Sequence, residues 1–174
     1  GAACGACGRR LTDREAALLE RRERALADLV EALDETGGPP GGARGRALRA
    51  LSGEGFAQHW LADRAWELLA DGARGGECRR LLWQRCEFSA RAYPGLSGAH
   101  AWALEAHADA QMPARPGTGA AQRRDLEEAA GAYAEARRVL RLLYGGSHEY
   151  VAELERKEAR LRRLRSGDPD GEGA

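Results

Sequence analysis

Two cysteines separated by two residues, Cys4-x-x-Cys7-Gly8, form the one motif whose residue types and spacing carry chemistry. Two thiolates at that spacing reach one tetrahedral zinc, and a glycine after the second lets the backbone turn so that amides face the sulfurs. One pair is half a site. Structural zinc takes four ligands, and no second pair lies nearby in the sequence. The competing readings are two thiols in a frayed terminus or a redox pair, the latter without the β-α-β setting it needs. Cys78 and Cys86 fall within one predicted helix. A rise of about 1.5 Å per residue sets them roughly 12 Å apart, too far to bridge. They read as thiols in a reducing compartment, filling a core as small apolar residues. His100 and His148 each follow a serine at a turn, with no thiol or carboxylate at a ligand spacing, and read as turn-capping or exposed. Trp60, Trp66, Trp83 and Trp102 could line a cage for a methylated cation. Their helical placement makes them packing residues instead. No Ser/His/Asp set, paired carboxylates or phosphate-cradling loop stands out.

The bulk composition narrows the function classes. Lys+Arg and Asp+Glu are 27 each, a formal net charge of zero over 174 residues. A general nucleic-acid binder needs a basic excess to release counterions, and a polybasic membrane anchor needs the same, so neither partner is expected. Lys157 is the only lysine; arginine carries the rest of the positive charge. No apolar run approaches the roughly 18–20 residues that span a bilayer, and no secretory leader is expected. The chain lacks an initiator Met and opens abruptly on "GAACGACG", so we expect a piece of a longer protein.

The elements that must position these residues are helices. Val, Ile and Thr are scarce, no period-2 alternation is sustained, and Ala, Leu, Glu and Arg dominate. Thr12 followed by Glu15 predicts a capping box at the start of the first helix. Leu19, Leu26 and Leu33 give that helix an apolar face. "TGGPPGG", residues 36–42, ends it as a loop. Two helical turns are expected from Arg46 to Leu51. Longer helices are predicted over about 56–71, 77–92, 99–111, 123–143 and 148–164. Glycine- and proline-rich joints separate them, among them the 112–119 loop. The tail, 166–174, is expected to be disordered.

Two windows repeat a pattern. Residues 77–110 and 128–161 each hold a long helix ending in Tyr93-Pro94-Gly95 or Tyr144-Gly145-Gly146, a polar reversal with Ser and His, then an Ala/Leu/Glu helix. Setting aside 112–119 as an insertion leaves a repeat of roughly 43 residues, near the longer helical-hairpin repeats. A helix pair buries one face internally and needs a neighbour for the other, so stacked pairs share a core. The expected fold is all-α, with antiparallel helical hairpins stacked as a TPR-like solenoid over 11–165. The two tyrosines should serve as equivalent joints.

The stretch "EEAAGAYAEARRVLRLLYGGSHEYVAELERKEARL", residues 127–161, resembles the last helical repeat of the SET- and MYND-domain protein-lysine methyltransferases. "LADRAWELLADGARGGECRRLLWQRCEFSARAYPG", residues 61–95, is similar to the repeats before it, and "CGACGRRL", residues 4–11, to the end of that family's post-SET zinc site. The resemblance implies a remnant of that zinc site at 1–10, with Cys4 and Cys7 as ligands and the other ligands upstream. It implies a C-terminal tetratricopeptide-like domain that borders the substrate cleft. Its partner would be a protein or peptide, such as a chaperone tail or a histone or non-histone substrate, in cytoplasm and nucleus. The family's catalytic stretches are absent, so this segment would not methylate alone; S-adenosylmethionine would bind only in the missing catalytic region. The joint from Tyr93 to His100 is also longer than that from Tyr144 to His148. Tyr-Gly-x-x-His corners occur in kinesin-light-chain-like repeats too, leaving open a scaffold protein with no enzymatic activity.

Overall fold

A computed structural model describes residues 10–35, 41–51, 60–113 and 119–166. Among these the chain is all-α, with seven helices and no β-strand. Cys4 and Cys7, the 1–10 zinc remnant up to residue 9, and the tail from 167 lie outside the described residues. The chain divides into two compact units, Gly1–Leu69 and Ala70–Ala174.

In the first unit, helix α1 (Asp13–Glu35) starts at the predicted capping box. The Thr12 amide donates to Glu15 Oε2 at 2.9 Å, and the Glu15 amide donates to Thr12 Oγ1 at 3.2 Å. Each satisfies an amide that the first helical turn would otherwise leave open. Leu26 and Leu33 are buried, whereas Leu18 and Leu19 are exposed. Helix α2 (Gly41–Leu51) packs on α1, burying Ala47 and Leu51. It begins inside the stretch predicted as loop. Gly41 and Gly42 form its first turn, because glycine lowers helix propensity without excluding the helix. Helix α3 (Trp60–Asp71) buries Leu61, Ala65, Trp66 and Leu69. Arg64 ties it to α1 through Asp34 at 2.5 Å. Both side chains are well exposed, so the pair adds little stability.

The second unit contains α4 (Gly75–Ala92), α5 (Gly98–Gln111), α6 (Ala120–Tyr144) and α7 (Glu149–Ser166). Each packs on the next in chain order. Arg79, near the start of α4, contacts Gln111 at the end of α5 and Asp125 at the start of α6, so neighbouring helices run antiparallel. Small residues let them approach: Ala101, Ala108, Ala129 and Ala136 are fully buried, with Leu126, Tyr133, Val139, Leu140, Val151, Leu154 and Leu161 filling the core. Each fully buried Leu or Val contributes about 1.5–3 kcal/mol over leaving it in water. Cys86 and Phe88 are buried on α4; Cys78 is half-buried, and desolvation followed by the Asp71 charge pushes its thiol pKa upward.

The two tyrosine joints share a backbone device. Gly95 and Gly145 have φ of 96° and 91°, and both follow a helix end marked by tyrosine. Their side-chain chemistry differs. At the first joint Ser97 caps α5 by accepting from the His100 amide at 3.4 Å, while His100 Nδ1 reaches Ser89 Oγ on α4 at 2.9 Å. At the second joint His148 is itself the cap, its Nδ1 accepting from the Tyr150 amide at 3.3 Å. Turn capping therefore describes His148, whereas His100 pins one helix to another. Tyr93 packs edge-on to Phe88, and Tyr144 packs on His148 and Tyr150.

Candidate functional site

Because α4 and α6 both pack on α5 from the same side, they leave a groove of about 640 Å³ floored by Leu104 and His107. Helix α4 contributes Arg79, Arg80 and Trp83; α6 contributes Glu128, Gly131, Ala132 and Glu135. One wall is basic and the other acidic, with an apolar floor. Trp83 is 49% exposed and leaves a large aromatic surface open in this groove. Of the four tryptophans read as packing residues, Trp66 is buried, Trp83 and Trp102 make ring contacts while staying partly exposed, and Trp60 is open to solvent. Helical periodicity places an aromatic on a face but does not say whether a neighbouring helix covers that face.

The lower part of the groove is fixed by a polar chain. Arg79 bonds Asp125, joining α4 to α6. Gln111 Nε2 donates to Glu128 Oε2 at 3.2 Å and meets His107 Nε2 at 3.3 Å. With Nε2 accepting, the neutral ring of His107 carries its proton on Nδ1. That atom is buried without a hydrogen-bond partner, although the Arg79 carbonyl is near enough to favour the charged ring. The Trp83 ring lies 5.4 Å from the imidazole, tilted by 52°. Desolvation dominates and holds the His107 pKa below 6.5, with Glu128 and the Arg79 carbonyl opposing it and the Arg79 charge assisting.

This sets a pH dependence. A histidine whose folded pKa is depressed leaves the unfolded chain binding more protons as pH drops. Its contribution is fully present above 6.5 and is lost as pH falls through the lower folded value. His100, also lowered chiefly by burial, acts in the same direction. Denaturant unfolding at pH 7.5 and 5.5 should show lower stability at 5.5, and His107→Gln should flatten the difference. An unchanged slope in that variant would remove His107 from the account.

A second groove, of about 530 Å³, lies between α5 and α7 over Tyr133 of α6, rimmed by Arg156, Arg160 and Arg163. Its central polar groups satisfy one another. Lys157 Nζ donates to Glu105 Oε1 at 2.6 Å and Asp109 Oδ2 at 2.7 Å, and Tyr133 OH donates to Asp109 Oδ1 at 2.5 Å. Burial opposes the lysine charge, but these two carboxylates outweigh it and raise the lysine pKa. Desolvation and the Asp109 bond likewise raise the Tyr133 pKa. This constellation staples α5, α6 and α7.

An aromatic patch closes the end of the unit at the α6–α7 joint, where Tyr150 meets Trp102, Tyr144 and His148 with ring centroids 6.3, 5.6 and 4.6 Å away. No group of three or more His, Cys, Asp or Glu residues is arranged to hold a metal among the described residues. Among them, too, no helix is long and apolar enough to cross a membrane.

Neither His107, Arg80 nor Gly131 stood out in the sequence. Gly131 had a signal, a lone glycine inside a long Ala/Leu/Glu run. His107 and Gln111 had a weaker one, their one-turn spacing. Compared with known proteins, the chain matches no family model and shows no significant similarity to any curated protein.

Proposed function

We propose that this chain is a non-catalytic helical-repeat domain that binds a protein or peptide, the C-terminal TPR-like part of a SET/MYND-type protein-lysine methyltransferase. The observation that carries the binding reading is the α4/α6 groove. Its apolar floor and half-exposed Trp83 are open, whereas the polar centre of the opposite groove is closed by its own ion pairs. Supporting the repeat reading are four antiparallel helices packed in chain order and two tyrosine joints with the same glycine conformation. In such stacks the surface between like helices is the usual docking face. The methyltransferase kinship rests on the sequence resemblance at 4–11, 61–95 and 127–161.

On this reading Cys4 and Cys7 supply half of a zinc site completed upstream, and the parent uses S-adenosylmethionine in its catalytic region. The domain then borders the substrate cleft. The parent should contain zinc, and its methyl transfer from S-adenosylmethionine to a protein lysine should depend on residues upstream of Gly1. A parent with further helix pairs in place of a SET region would instead favour a kinesin-light-chain-like scaffold.

The groove is tested separately. Peptides selected on this chain from a random displayed library serve as probes. Trp83→Ala should weaken the selected peptides about tenfold or more, as for a central aromatic anchor. Stability should change by only about 1 kcal/mol, since half of the ring is already in water. Undiminished binding would place the site elsewhere.

A further inference from the structure

We infer that the occupant of the α4/α6 groove is an amphipathic α-helix of a partner chain, packed over Gly131 and presenting a carboxylate to Arg80. This rests on the proposed reading of the unit as a protein-binding domain. Two observations favour a helix over an extended segment, and a third bears on its contacts and charge.

First, an extended peptide leaves its backbone amides and carbonyls to be satisfied by the receptor. The walls are helices whose backbone groups are already bonded internally. Side-chain amides, which can donate to and accept from a peptide backbone at once, are missing: no Gln lines the groove, and the chain contains no Asn at all. Of the charged side chains, Arg79 is committed to Asp125, Glu128 to Arg124 and Gln111, and Glu135 to Arg138. A helix brings its own hydrogen bonds and needs only an apolar trough.

Second, Gly131 sits mid-helix in α6, is exposed, and a Cβ added there meets nothing within 4 Å. Glycine in a helix interior is unfavourable relative to alanine, and no contact among the described residues requires it here. Beside it lies Ala132, so the α6 wall carries little side chain along this stretch of the groove that Trp83 also lines. Small residues of this kind let another helix backbone come close.

Third, the lining sets where such a helix would make its contacts. Arg79 or Arg80 and Trp83 are one turn apart on α4; Glu128, Gly131 or Ala132, and Glu135 span two turns on α6. A ligand helix lying along them completes a four-helix arrangement with α4, α5 and α6. Arg80 has no hydrogen-bond or ion-pair partner among the described residues, which singles it out as the group that selects an acidic residue.

The test uses the full 174-residue chain and a displayed random library of peptides about 16 residues long, four helical turns. Retained peptides should carry apolar residues at i, i+3, i+4 and i+7 with an acidic residue beside that stripe, and should gain helical circular dichroism on binding. Gly131→Trp should abolish their binding. Arg80→Glu should weaken it at least tenfold, with recovery when the peptide's acidic residue becomes arginine. Gly131→Ala should raise the melting temperature by about 2–4 °C, the sign of a glycine not needed by the fold. A Gly131→Trp melt within a few degrees of wild type shows that lost binding is not lost folding; should that variant unfold, Arg80→Glu with its charge-reversed peptide decides. Peptides with alternating or proline-rich patterns that also lose binding to Gly131→Trp would overturn the helix and leave the groove standing. Peptides indifferent to both substitutions, or no retained peptide at all, would count against the helix and the groove together.

Discussion

Tyr133→Ala is expected to destabilise the second unit by about 3–5 kcal/mol, the range for truncating a large buried aromatic. Its ring is 1% exposed and sits among Ala101, Ala108, Leu154 and Leu161 in the core shared by α5, α6 and α7. Truncation leaves a void that closely packed helices fill only in part, and it strips Asp109 of the phenol donor. Tyr133→Phe separates the two effects. It keeps the ring and removes only the hydroxyl, and because Asp109 is exposed and retains Lys157, the cost should be roughly 1 kcal/mol. Urea unfolding followed by circular dichroism measures both. An alanine variant within 1 kcal/mol of wild type would contradict the described packing of α6 between its neighbours.

Gly145→Ala should cost about 1–3 kcal/mol through the backbone alone. At φ 91° and ψ 159°, Gly145 occupies a region that side-chain-bearing residues avoid. A Cβ built there meets nothing within 4 Å beyond its two chain neighbours, so the cost lies in the local backbone and not in crowding against packed side chains. The strain falls where the Gly145 amide closes α6 on the Arg141 carbonyl at 3.0 Å and its carbonyl receives the His148 amide at 3.3 Å. The loss should therefore appear with altered packing of Tyr144 on His148, readable in the aromatic NMR signals. The same substitution at Gly131 has the opposite expected sign. Glycines in one helix-rich sequence thus separate into a conformational requirement and an open surface. A neutral Gly145→Ala would mean that the joint relaxes into another turn.

Local rules made part of this molecule legible. Thr12 and Glu15 announced the first helix start because a capping box is a short-range pattern, complete within one turn. Tyr93-Pro94-Gly95 and Tyr144-Gly145 marked helix ends for the same reason. Helix α2 starts earlier than its sequence pattern predicts, because glycines that usually signal a loop can also occupy a first helical turn. The groove was not legible. Whether Trp83 is covered, whether His107 finds a partner, and whether Gly131 touches anything all depend on which helices become neighbours, and periodicity within one helix carries no such information. The equivalence of the two tyrosine joints survives for the backbone, in Gly95 and Gly145, and divides in the side chains, since His100 bonds Ser89 across the hairpin whereas His148 caps its own helix. Leu18 and Leu19 show the same limit on α1, where a continuous apolar stripe is buried in its second half and open in its first.

Chemical-shift mapping puts the central claim to the most direct test. A ¹⁵N-labelled chain is titrated with a library-selected peptide while the backbone amides and the tryptophan indoles are followed. The Trp83 indole should move together with residues 79–83 of α4 and 128–135 of α6, and the Trp102 indole should stay in place. Perturbations confined to the Lys157–Arg160 groove, or to the Trp102, Tyr144 and Tyr150 patch, would contradict it.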